Sequence, residues 1–147
     1  LNSRSMREIR EKVNIPLASG ERIFTRWGYR PFLEERSLQV LQPDFCLVGG
    51  ITEGKKVADM ANVYDCTIQG HCCGGPISTA AALQVETAIP NFIIHELHSG
   101  ALKAHIRALC KYDYMPEDGY YRVPELPGIG QELSEEAMAK ADHILAC

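Results

Sequence analysis

Residues 66–89 read CTIQGHCCGGPISTAAALQVETAI. A short apolar run rich in β-branched residues (66–68) has the composition of a buried strand. A turn carrying Gly70 and His71 follows it. Pro76, tolerated in a first helical turn, then opens an Ala-rich helix to Ile89, and Pro90 stops it. This is one strand–loop–helix unit with an imidazole between strand and helix.

The same rhythm extends in both directions. Upstream, residues 3–13 (SRSMREIREKV) follow capping-type residues and place Met6, Ile9, Arg10 and Val13 at helical spacing. Residues 15–18 read as a strand, 24–36 as a helix made irregular by Gly28 and Pro31, and Val40-Leu41 as the next strand. Thr52 opens a helix through Tyr64 with Val57, Met60, Ala61 and Tyr64 on one face. Downstream, residues 92–94 (FII) form the fourth strand and 101–110 a further helix. Strands therefore start near 15, 39, 66 and 92. Short buried strands alternating with helices imply a parallel sheet. Beyond residue 111 the rhythm stops in a Pro/Gly-rich stretch, and Ser134-Glu135-Glu136 caps a last helix. The expected organisation is a βα body over 1–111 and a C-terminal segment over 112–147.

Composition excludes several classes. The chain has 147 residues, is 46% hydrophobic and carries a net charge of −4, which rules out a disordered chain and a cationic nucleic-acid binder. No apolar run approaches the ~18 residues of a membrane span. Residues 1–36 carry eight Lys/Arg against five Asp/Glu and residues 37–147 seven against fourteen, with no like-charge block in either part. Six cysteines without a CxxC pair read as reduced thiols of an intracellular, cytoplasmic protein. There is no signal-peptide pattern, and the start at Leu1 suggests a cut-down chain.

In parallel α/β proteins, ligands collect beyond the carboxyl ends of the strands. The ionisable residues there are Glu21, Asp44, His71 and Glu96, spaced 23, 27 and 25 residues apart, one per unit. Glu21 is a hard oxygen donor suited to Mg²⁺. His71 can exchange a proton near neutral pH, and Asp44 on the neighbouring strand can orient its ring. Glu96 completes a polar wall or, when protonated, donates to an oxyanion. Arg22 is either a contact for a substrate anion or a salt-bridge partner of the surface, and His98 is a candidate pocket residue. His95 should face the opposite side of the pleat from Glu96, and His95-Glu96-Leu97-His98 lacks HExxH spacing. Cys72 lies in the loop after His71 with no electropositive setting to activate it. Gly128 and Gly130 serve turns.

Residues 15–22 (IPLASGER), 41–44 (LQPD), 49–53 (GGITE), Gly70-His71 and 119–130 (GYYRVPELPGIG) together resemble the enolase superfamily. The likeness is to its mandelate racemase/muconate lactonizing branch, and within that to sugar-acid dehydratases of galactonate dehydratase type. The resemblance implies an α/β fold: strands five to eight of a (β/α)8 barrel, followed by an extended segment and helix that pack toward a capping domain. It implies Glu21 as one of three carboxylate ligands of Mg²⁺, Asp44 and His71 as an Asp–His dyad, and Glu96 as the acid that contacts the substrate carboxylate. The chemistry implied is removal of a proton α to a carboxylate, followed by loss of a β-hydroxyl to give a 2-keto-3-deoxy acid. The two other metal acids, the second-strand residues and the capping domain have no counterpart here. A barrel takes about 250 residues, so the remaining strands must come from the N-terminal part of the same enzyme or from self-association, and a homo-oligomer is expected. Racemisation, epimerisation or cycloisomerisation, and an inactive half-barrel that folds only by association, are the alternatives. The partner expected is a small sugar acid, with no nucleic acid and no membrane.

Overall fold

The computed structural model describes residues 1–142. Helix α1 (Ser3–Arg10) begins where the Asn2 side chain accepts from the Arg4 and Ser5 amides at 3.0 and 3.2 Å, the usual satisfaction of free N-terminal donors. Its basic last turn, Arg7 and Arg10, suits the negative end of the helix dipole. The helix stops at Arg10, three residues before Val13, because the chain tightens into i→i+3 turns at Lys12 and Val13.

Three short strands form the sheet: β1 (Ala18–Ser19), β2 (Val40–Leu41) and β3 (Thr67–Ile68). They lie side by side in chain order and parallel, with Ala18 opposite Val40 and Val40 opposite Thr67. Helices α2 (Thr25–Glu34), α3 (Gly50–Val63) and α4 (Pro76–Thr87) connect and follow them. The α3 face is Val57, Ala58 and Ala61 with Met60 and Tyr64 partly buried beside them, close to the face the spacing predicts. Gly54 completes that face, since a Cβ there would stand 2.5 Å from the Phe45 ring. Helix and strand residues close over a core of Tyr29, Leu33, Leu41, Val48, Val57 and Ile68, all buried. Each large apolar side chain so placed contributes roughly 1.5–3 kcal/mol by leaving water.

Besides α1, three expected elements differ. The first strand, expected over residues 15–18, is Ala18–Ser19, with Ile15 outside it and exposed. The 92–94 segment pairs with β3 only at Phe92, parallel to Ile68, through Ile68 N–H to Asn91 O at 2.8 Å and Ile93 N–H to Ile68 O at 3.1 Å. Its place in the strand order is the expected one. Ile93 and Ile94 are exposed, with no described strand beyond them to continue the ladder. The helix expected over 101–110 is two pieces, a 3-10 turn (Ser99–Leu102) and α5 (Ala104–Arg107), because Lys103 between them is extended (φ −68°, ψ 132°).

The C-terminal segment lies back on the body. Gln84 of α4 donates to the Pro124 carbonyl at 2.9 Å, Cys110 bridges Leu133 antiparallel, and Tyr114 donates to Gly130 O at 2.6 Å. Helix α6 (Glu135–Lys140) starts at Ser134, whose hydroxyl accepts from the Ala137 amide at 3.1 Å. Among the described residues no cysteine is in a disulfide, and no helix is long and apolar enough to cross a membrane. The whole is an α/β fold consistent with part of a (β/α)8 barrel.

Candidate active site at the carboxyl ends of the strands

Glu21 and His71 each follow a glycine that lets the chain pass close to its neighbours. Gly20 adopts φ +154°, and a Cβ there would lie 2.6 Å from the Tyr29 hydroxyl and 2.8 Å from Gln42 N. Only glycine lets the chain leave β1 at this point, directly before Glu21. Tyr29 secures the corner by donating to Gly20 O at 2.7 Å. Burial, then the charge of Asp44, pushes its phenol pKa far up, so it stays a neutral donor. Gly70 plays the equivalent part before His71, with a Cβ there 2.6 Å from the Phe45 ring.

Asp44 and His71 extend the parallel ladder one step past β2 and β3, paired as a bridge with His71 N–H on Pro43 O at 3.0 Å. That register brings their side chains together. Asp44 is buried; its Oδ1 accepts from the Cys46 and Leu47 amides at 2.8 and 3.2 Å, while Oδ2 holds His71 Nδ1 at 2.8 Å. With Nδ1 donating inward, Nε2 is the ring nitrogen that faces the mouth. There it meets Glu21 Oε2 at 2.9 Å. Glu21 is 46% exposed and its Oε1 lies 3.4 Å from Arg22 Nε. Glu21, Arg22, Gln42 and His71 line one cavity of about 210 Å³.

Glu96 joins through the backbone, its Oε2 accepting from the Cys72 amide at 2.7 Å. It comes close enough to His71 that one ligating atom from each, with the Cys73 thiol, falls within 4.8 Å. So Glu21, Asp44, His71 and Glu96 meet at one mouth. Arg22 stands exposed at its rim, paired with Glu21. His98 is exposed on the adjoining turn, where its Nδ1 accepts from Gly100 N–H at 3.1 Å and caps the 3-10 turn.

Sequence spacing missed what the two cysteines do. Cys72 points inward, its buried Sγ 3.8 and 3.7 Å from the Ser78 and Thr79 hydroxyls, and it serves Glu96 through its amide. Cys73 points outward to the mouth. Partial burial first, then the Glu96 charge, pushes its thiol pKa up. Also unforeseen is an ion pair behind the wall: His95 Nδ1 contacts Glu86 Oε2 of α4 at 2.7 Å, with only 7% and 3% of the two side chains exposed. His95 does face away from Glu96 and packs edge-on against Tyr121 at 4.8 Å. Burial alone would lower its pKa, but the nearby Cys72 and the hydrogen bond to Glu86 raise it to about 9.

A parallel α/β fold with a carboxylate–imidazole pair beyond its strand ends defines the class as an α/β protein with a candidate ligand site at the carboxyl edge of its sheet. More particularly, the chain belongs to the enolase C-terminal domain-like family, whose pattern matches residues 2–137. It is 38% identical over 136 residues to the D-galactonate dehydratase of Variovorax paradoxus, covering 89% of this chain and 36% of that protein. It is 34% identical over 130 residues to the D-xylonate dehydratase of Haloferax volcanii, covering 88% and 31%. Among solved structures, it is similar to a member of the enolase superfamily from Salmonella Typhimurium, with a TM-score of 0.93 at 66% identity, over 95% of this chain and 36% of that one. A mandelate racemase/muconate lactonizing enzyme from a Sulfitobacter species matches with a TM-score of 0.86 at 34% identity, over 95% and 34%. The chain thus spans about a third of the length of the curated relatives it matches.

Proposed function

We propose that this chain is the base-bearing part of a sugar-acid dehydratase. The observation that carries the reading is the Asp44–His71 contact of 2.8 Å, with His71 Nε2 turned to the mouth. Identity to D-galactonate and D-xylonate dehydratases supports the substrate class. In this reading Nε2 takes the proton from the carbon α to the substrate carboxylate. The buried Asp44 fixes the ring tautomer and stabilises the imidazolium that forms. Glu96 faces the carboxylate end of the substrate and, protonated, donates to the developing oxyanion. Arg22 adds a cation at the rim, and His98 is the outermost contact. The β-hydroxyl departs with a proton as water, and the enol left behind tautomerises, its hydroxyl losing a proton as the β-carbon gains one, to a 2-keto-3-deoxy acid.

Magnesium would supply stabilisation of the enediolate charge. Glu21 fits it: a half-exposed carboxylate at the mouth whose oxygens, among the described residues, pair with the side chains of His71 and Arg22. Both Asp44 oxygens are already committed. One carboxylate does not complete an octahedral oxygen shell, so the remaining ligands belong to parts of the protein outside this chain, or to a second copy.

The test uses protein that contains this segment, with D-galactonate or D-xylonate and Mg²⁺ in deuterated water. Formation of a 2-keto-3-deoxy acid is expected, with loss of activity and of α-deuterium exchange in His71→Asn. Exchange with inversion and no elimination would assign an epimerase instead. Wild-type exchange in His71→Asn would refute the base.

A further inference from the structure

We propose that the mouth also forms a binding site for a soft divalent cation, zinc, held by the His71 imidazole, the Cys73 thiolate and the Glu96 carboxylate. One donor atom from each lies within 4.8 Å of the others. A tetrahedral zinc shell with bonds of about 2.0–2.3 Å has ligand-to-ligand edges of roughly 3.5 Å, so the donors need to draw together by at most about an ångström.

Independent support comes from how the imidazole is held. Asp44 grips His71 Nδ1 from behind and leaves Nε2 toward the mouth. A carboxylate behind the ring is the arrangement that orients zinc-ligating histidines and fixes their tautomer. Glu96 is pinned through Oε2 by the Cys72 amide, which leaves its other oxygen outside that bond. Glu21 Oε2, 2.9 Å from Nε2, is in reach as a fourth ligand.

The donor set of one nitrogen, one sulfur and oxygens selects zinc over magnesium, which takes oxygens. On binding, the Cys73 thiol releases its proton to solvent as the Zn–S bond forms, with no change of oxidation state. Because zinc would occupy His71 and Glu96, it would compete with any ligand acting through them. The site rests on the donor geometry and not on the dehydratase reading, so either can fail without the other.

Cobalt(II) is the probe. Added to the chain, with its helical content verified by far-ultraviolet circular dichroism, it should give the near-ultraviolet thiolate-to-cobalt charge-transfer band and the strong visible bands of a tetrahedral site. One equivalent of zinc should bleach them, and an excess of magnesium should not. Cys73→Ser should abolish the charge-transfer band with the circular dichroism unchanged, and Asp44→Asn should weaken zinc binding about 10–100-fold. A band that survives Cys73→Ser, a weak octahedral spectrum in the wild type, or bleaching by magnesium would overturn the site.

Discussion

At the scale of single residues, the mouth and the wall behind it use charge in opposite settings. His71 is half-buried between two carboxylates and open to a cavity, whereas the paired His95 and Glu86 side chains are almost fully buried. For His95 the sign of the pH dependence follows from its pKa, raised in the fold from 6.5 to about 9. The protonated form is favoured by folding, so its contribution is complete below the ordinary value and is lost as pH rises through about 9. Urea midpoints should therefore fall between those two values, and the wild-type fall should exceed that of His95→Asn over the same range. Equal slopes would show that the pair does not act this way. Glu21, Asp44, His71 and Glu96 were legible because strand ends recur at regular spacing. The Glu86–His95 pair was not, since the residue opposite an outward side chain depends on how a helix seats on the sheet.

At the scale of elements, close approach between helix and loop decides where side chains cannot be. Gly54 of α3 meets Phe45, and Phe45 in turn closes on Gly70, the residue before His71. Gly54→Ala should destabilise by roughly 1–3 kcal/mol, the usual cost of overpacking, read as a shift in the denaturation midpoint. Adding Phe45→Leu should recover part of the loss, because the atom that clashes is in the ring. If the double variant is no better than Gly54→Ala, the contact is not the cause. Apolar runs and Pro76 marked β2, β3 and α4 to within a few residues. Nothing in residues 101–110 marks Lys103 as extended, since its conformation is set by the turn that His98 caps.

At the scale of the whole molecule, the fourth βα unit ends in an open edge. Phe92, Ile93 and Ile94 are exposed and, with Leu83 and Tyr121, line a mostly apolar cavity of about 510 Å³. An apolar face beside an unpaired strand edge is a surface that binds other chains. The isolated chain should therefore run as more than a monomer in size-exclusion chromatography with light scattering, and Ile94→Lys should shift it toward monomer. A wild type that is monomeric at every concentration would remove the argument.

The sequence by itself determined the alternation of strands and helices, the parallel order, and the four ionisable residues at one rim. Those follow from local composition and from periodicity, which are written along the chain. The tertiary structure decided the rest: which nitrogen of His71 faces the mouth, that Cys73 rather than Cys72 lies there, and that His95 pairs with Glu86. These depend on register across neighbouring strands and on close packing against glycine, where a shift of one residue exchanges inside for outside.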